Sequence, residues 1–115
     1  MLRSRAHALL SGRLAVLGYN GYRSGRTFHI PVRYAELDGA RLVAIAVRPE
    51  RKLWWRSFAE PREAELLLRG ARVPVVGIVG GGRLRDEAVN AYRARYPRSA
   101  GLLHDAAVVV FERAG

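Results

Sequence analysis

The sequence predicts a mainly β protein: a small antiparallel barrel, or a strongly curled sheet, with short helices. Three observations carry this. From Thr27 to Glu36 the pattern has period two, with Phe28, Ile30, Val32 and Tyr34 on one face and His29, Pro31, Arg33 and Ala35 on the other. Asp38-Gly39 behind that run is a hairpin-turn signal, answered by the nearly unbroken apolar stretch at residues 42–47. Two further strand-length runs follow at 73–79 and 106–111, the first rich in valine. At 115 residues the chain is expected to hold one domain and no second.

Each element has its local reason. Residues 3–11 are a short helix candidate, and 13–17 a short apolar strand. A turn-rich stretch at 18–25 separates that strand from the 27–36 run. Pro31 lacks a backbone donor, so it argues for an edge position or a bulge. Residues 41–47 form the returning strand. Pro49 and Glu50 suit the first turn of a helix that carries Leu53, Trp54, Trp55 and Phe58 and stops before Pro61. Residues 63–69 are another strand, turned at Gly70 into 73–79, and Gly80-Gly81-Gly82 is a flexible break. Residues 83–96 read as an amphipathic helix with Leu84, Ala88, Ala91 and Tyr92 on one face, acids near its start, arginines near its end and Pro97 as its stop. The order is then β-β-β-α-β-β-α-β, and the short turns imply antiparallel neighbours.

Charge is the second strong feature. There are 20 basic and 10 acidic residues, a formal net charge of +10. Residues 1–33 carry Arg3, Arg5, Arg13, Arg23, Arg26 and Arg33 and no acid, and Lys52 is the one lysine of the chain. Such a balance suggests an anionic partner: nucleic acid, an anionic membrane face or a phosphorylated ligand. An arginine-rich composition of the source genome explains the same excess. The absence of cysteine excludes disulfides, thiolate nucleophiles and Cys-ligated metals. Three separated histidines offer no local metal cluster, so no metal is expected. No apolar run approaches the ~20 residues of a membrane span, and the basic start lacks a signal-peptide pattern. The expected location is cytoplasmic, with association at a membrane surface open.

Three segments could carry chemistry. In Gly21-Tyr22-Arg23-Ser24-Gly25-Arg26, the glycines let backbone amides approach an anion, the arginines add charge and Ser24 adds a hydroxyl. The competing reading is a hairpin turn with solvated arginines. Around Arg48 and Trp54-Trp55, one indole can face the core while its neighbour walls a cleft; ordinary packing is the alternative. The face with His29 and Arg33 could line a pocket continuous with the loop, or be solvated sheet.

Taken in order, Gly21, Arg23-Ser24-Gly25, Pro31, Tyr34, Asp38-Gly39, residues 42–47 and Trp54-Trp55 resemble the deazaflavin-dependent nitroreductase family. That family is a branch of the split β-barrel, FMN-binding-like superfamily that includes pyridoxamine-phosphate oxidases. The resemblance implies a six-stranded antiparallel split barrel, usually a homodimer. It implies a deazaflavin coenzyme, F420, with FMN as the alternative and haem in relatives, between the barrel and the Trp helix. By position Arg23 and Ser24, with Arg26 nearby, would hold the coenzyme phosphate; Pro31 belongs to the same motif. Val47 and Arg48 would meet the ring edge and tail, and Trp54 and Ser57 the side of the ring. Tyr34 or His29 would serve as general acid. Tyr22, Phe28, Val47 and Ser57 depart from the residues the family usually has there. The implied activity is hydride transfer to small planar acceptors such as quinones or nitro compounds. A coenzyme-binding protein without catalysis, and a basic barrel that binds nucleic acid or anionic membrane, are the alternatives.

Overall fold

Alternation of side chains across each strand sorts this molecule into an inside and an outside. The computed structural model describes residues 13–21 and 23–114. Six strands form the wall: β1 (Leu14–Asn20), β2 (Thr27–Glu36), β3 (Arg41–Ala46), β4 (Arg62–Leu68), β5 (Ala71–Val79) and β6 (Ala107–Arg113). A 3-10 helix (Trp54–Phe58) connects β3 to β4. Helix α1 (Gly82–Arg95) and a second 3-10 helix (Pro97–Leu102) connect β5 to β6. All pairings are antiparallel, and the order β1-β2-β3-β6-β5-β4 closes on itself through the β1–β4 pair. The fold is therefore a six-stranded antiparallel split β-barrel, as expected.

Inward positions fill the barrel. Ala15, Leu17 and Tyr19 of β1, Val32 and Tyr34 of β2, Leu42 and Ala44 of β3, Leu66, Val75, Val109 and Phe111 pack there with Phe58. Gly77 is required at this centre. A Cβ on it would stand 2.6 Å from Phe58 and 2.9 Å from Phe111, whose rings meet edge to face at 5.4 Å. A second core lies outside the wall. Ala35, Val43, Val108 and Val110 project outward and are covered by Ala88 and Tyr92 of α1 with Tyr96 and Leu103. Arg85 staples this layer by donating to the carbonyls of Ala106, Leu103 and His104.

Several boundaries differ from the sequence reading. β1 runs on to Asn20, because the Tyr19 ring stacks on Phe28 at 5.6 Å and the Thr27 hydroxyl bonds Asn20. The helix expected from Pro49 shrinks to five residues, Trp54–Phe58. Arg48 has φ of 58°, which turns the chain tightly out of β3 before a regular helix can begin. The glycine run is tied rather than loose: Gly80 N–H donates to the Val108 carbonyl, and Arg85 N–H donates to the Gly81 carbonyl. Pro31 sits where β2 has one neighbour. β2 pairs with β1 over its first part and with β3 through Tyr34, Ala35 and Glu36 alone, so no ladder bond is lost to the ring. The helix expected at residues 3–11 lies outside the described residues.

Candidate functional site: the loop-side rim of the barrel

Antiparallel order brings distant segments to one end of the barrel. The ends of β1, β3 and β5 and the starts of β2, β4 and β6 share one rim. So the β1–β2 loop, Val47-Arg48 and the Trp54–Phe58 helix all lie at this end. Of the residues singled out in the sequence, Arg23, Ser24, Arg26, Val47, Arg48, Trp54 and Ser57 belong to these segments.

The loop is closed by its own backbone. Gly21 N–H donates to the Arg26 carbonyl at 2.8 Å, and Gly25 N–H donates to the Gly21 carbonyl at 3.0 Å. The Ser24 hydroxyl accepts from Arg26 N–H at 3.2 Å, which leaves its proton to donate outward. Gly25 has φ of 70°, a conformation that glycine adopts without strain. Arg23, Ser24 and Arg26 are exposed, and no acid occurs between residues 14 and 35. This donor set fits a phosphate: guanidiniums, a hydroxyl proton and no competing carboxylate from the same hairpin.

Beside the loop stands an aromatic row that joins the rim to the barrel centre. Phe28 stacks on Tyr19, Tyr19 tilts against Phe58 at 5.8 Å, and Trp54 meets Phe58 edge-on at 6.3 Å. Phe28 is 40% exposed and Trp54 is half-buried, so the row ends in accessible ring surface. The phenylalanine at position 28 thus extends an apolar wall. Burial pushes the Tyr19 phenol above its ordinary pKa, keeping it neutral at physiological pH. The two tryptophans divide their tasks. Trp54 joins the aromatic row, whereas the Trp55 indole N–H donates to the Pro49 carbonyl at 2.8 Å and carries Arg56 on its face.

The remaining positions scatter. Ser57 is 4% exposed, and every buried side-chain polar atom among the described residues has a partner, so its hydroxyl is engaged within the fold. Its carbonyl accepts from Arg62 at 2.7 Å. Tyr34 is buried inside the barrel near the opposite end, where its carbonyl accepts from the Tyr96 hydroxyl. His29 points outward against Gly18, on a depression shared with Asn20, Thr27, Glu63 and Glu65. Pro31 is exposed on the same outer face, two residues further along. Arg33 is four residues beyond His29 and lines a different cleft, with Arg13, Arg95 and Arg98. The continuous His29–Arg33 pocket considered from the sequence is therefore two separate surfaces. The aromatic row itself was missed; the signal for it is the in-register pair Tyr19 and Phe28 on facing strands.

Among the described residues there is no group of three or more His, Asp or Glu that could hold a metal ion, and no helix long and apolar enough to cross a membrane.

Compared by sequence, the chain matches no protein-family model and no curated protein. Compared by structure, it is similar to several solved proteins. An F420-H2-dependent reductase (FDR-A) superposes with a TM-score of 0.72 at 17% identity, over 87% of this chain and 94% of that one. A structure described as a domain-swapped dimer gives 0.71 at 16% identity, over 96% of both chains. A Listeria innocua protein described by its resemblance to pyridoxamine 5'-phosphate oxidase gives 0.60 at 10% identity, over 100% of this chain and 95% of that one. The fold is thus a split β-barrel of the kind these solved proteins share.

Proposed function

We propose that the loop-side rim binds a phosphate-bearing tricyclic coenzyme, deazaflavin F420 or alternatively FMN, in service of a two-electron reduction of small planar acceptors. The observation that carries the reading is the adjacency of an acid-free Arg-Ser loop and an accessible aromatic row at one end of the barrel. Arg23, Arg26 and the Ser24 hydroxyl would hold the phosphate. Phe28 and Trp54 would offer apolar surface to the ring, with Val47 at its edge and Arg48 toward an acidic tail. When bound, a reduced coenzyme of this type supplies a hydride, and water supplies the proton that completes reduction of a quinone or nitro group. The chain's own contribution is orientation of coenzyme and acceptor. Of the two general acids considered, His29 is the exposed one, since Tyr34 is enclosed toward the opposite end of the barrel.

That enclosure favours a second reading: a coenzyme-binding protein without turnover. The two readings share the binding step. We include in the proposal a homodimer, because the outer face of β5 leaves the half-buried Val76 and Ile78 lining an open groove of about 570 Å³ with Pro61, Leu84, Arg41, Glu112 and Arg113. The similarity to a structure described as a domain-swapped dimer supports it.

The test is a titration with F420 and FMN, followed by tryptophan fluorescence and coenzyme absorbance. Saturable one-to-one binding weakened by Arg23→Ala supports the proposal. Absence of binding to either coenzyme sinks it. Addition of menadione or a nitroaromatic to the reduced complex then separates the oxidoreductase from the carrier. Light scattering gives the oligomeric state.

A further inference from the structure

A second basic site stands at the other end of the β1–β2 hairpin. Six residue steps along β1 separate the Leu14↔Arg33 pair from the Asn20↔Thr27 pair, so it lies about 20 Å from the Arg23-Ser24 loop. Here a cleft of about 540 Å³ is lined by Arg13, Arg33, Arg95, Arg98, Tyr96 and Leu102, among others. All four guanidinium-bearing residues are exposed, and no acid lines the cleft. Glu36 lines the neighbouring depression, yet the ion pairs among the described residues are Arg41–Asp38 and His104–Asp105 alone. The four positive charges therefore line one cleft, and none of them is in an ion pair with an acid among the described residues.

The fold holds two of these arginines in place. The Tyr96 ring carries Arg33 at 5.1 Å and Arg95 at 5.1 Å from its centroid. The Tyr96 hydroxyl is anchored by donating to the Tyr34 and Arg13 carbonyls, and the Arg13 carbonyl also accepts from Tyr34 N–H at 3.1 Å. The backbone at Arg13 and Tyr34 and the side chains of Arg33 and Arg95 are thus gathered around one buried phenol. Arginines with preset directions lose little freedom on binding, and their planar forks match phosphate oxygens.

We propose that this cleft binds a phosphate group, presented either by an anionic lipid headgroup or by a soluble phosphorylated ligand. A nucleic-acid reading fits less well. Tyr96 is 9% exposed, so the cleft offers no free aromatic face for stacking bases. Leu102, by contrast, is 59% exposed at the rim of the same cleft. An exposed leucine beside cationic groups suits the boundary between headgroups and acyl chains, which favours the lipid source.

The experiment uses the full chain at 150 mM salt. Its probes are vesicles of phosphatidylcholine with or without about a third phosphatidylglycerol, inorganic pyrophosphate by calorimetry, and a single-stranded oligonucleotide. Arg95→Gln/Arg98→Gln removes two charges from the cleft, and Arg72→Gln/Arg83→Gln removes two elsewhere at equal net charge. We expect binding to anionic vesicles or to pyrophosphate to fall about tenfold or more in the first variant and little in the second. Loss with Leu102→Ser on vesicles alone identifies the lipid source; pyrophosphate binding that ignores Leu102 identifies a soluble one. Equal losses in both double variants would show a diffuse charge effect and overturn the site, as would no binding to either phosphate probe. Tighter, cleft-dependent retention of the oligonucleotide would replace the proposal with a nucleic-acid one. The melting temperature of each variant reports whether it is folded. Coenzyme titration of the first variant keeps this outcome separate from that at the loop-side rim.

Discussion

The two ends of the β1–β2 hairpin are both basic, and they are built in opposite ways. At the loop-side rim the arginines sit on a short turn closed by its own backbone, beside aromatic rings that continue the barrel core. At the other end the arginines come from the residue before β1, from β2, from α1 and from the second 3-10 helix, and two of them, Arg33 and Arg95, lie over the buried ring of Tyr96. The first place pairs charge with apolar surface, as a ring bearing a phosphate requires. The second concentrates charge with little open ring surface. Net charge alone distinguishes neither. What separates them is whether the positions that carry charge are supported by local turn chemistry or by tertiary packing.

The largest way to break this comparison is at Gly77. Its Cα lies under the Phe58 and Phe111 rings, so Gly77→Ala must push Phe58 away. It should cost about 3 kcal/mol in chemical denaturation. The loss should distort the Trp54 side of the rim, seen as altered tryptophan fluorescence, while leaving the Tyr96 cleft intact.

At the cleft the matching change is Tyr96→Phe. It leaves the Tyr34 and Arg13 carbonyls without their hydroxyl donor and should cost about 1.5 kcal/mol. This variant also sharpens a pH effect. Burial raises the pKa of Tyr96, against the opposing pull of Arg95, Arg33 and Arg13, and burial likewise raises Tyr92. The folded state holds these protons more tightly than the unfolded one. Their contribution is therefore fully present below the ordinary tyrosine value of 10.0 and is lost as pH climbs through the raised values. Melting temperatures taken from pH 8 upward should fall above about pH 10, and less steeply in Tyr96→Phe.

At the loop, Arg23→Ala should weaken coenzyme binding by about tenfold with no change in melting temperature. Unchanged affinity would mean the loop is a solvated turn after all. A smaller effect tests backbone strain. Arg48 and Arg69 both adopt left-handed backbone, with φ of 58° and 49°. Replacement of either by glycine should raise stability by up to about 1 kcal/mol. Coenzyme affinity should drop for Arg48→Gly and hold for Arg69→Gly, because only Arg48 belongs to the rim.

The smallest effect is expected at the β2–β3 turn. The Arg41 guanidinium, with the Ala40 and Arg41 backbone N–H groups, holds the Asp38 carboxyl below its usual range. That stability is present above the unfolded pKa of an aspartate and lost as pH falls through the lowered one. Asp38→Asn should flatten the acid limb of the stability profile slightly, since the pair is solvent-exposed.

Much of the barrel was legible in the chain. Alternation in β2 separates Val32 and Tyr34 inside from His29 and Arg33 outside, and Asp38-Gly39 marks the turn that follows. These are local signals, set by the two-residue period of a strand and by which residues tolerate a tight turn. The loop chemistry of Gly21, Ser24 and Gly25 is local for the same reason, so Arg23, Ser24 and Arg26 could be picked out by eye. Boundaries were less legible where a contact far along the chain decides them. Tyr19 stays in β1 because Phe28 stacks on it, and the Trp helix is short because Arg48 turns the backbone.

Composition, period and turn residues determined by themselves that this chain would form a curled antiparallel sheet or small barrel with an Arg-Ser loop between its first strands, because each of those signals acts within a few residues. Only the tertiary structure decided which side chains would meet. Closure of β1 on β4 formed the rim, and the packing of α1 on β2, β3 and β6 carried Arg95 and Arg98 to Arg13 and Arg33. Those residues are separated by some sixty to eighty positions in the chain, and their meeting depends on burial of apolar surface across the whole fold, a quantity no local stretch of sequence expresses.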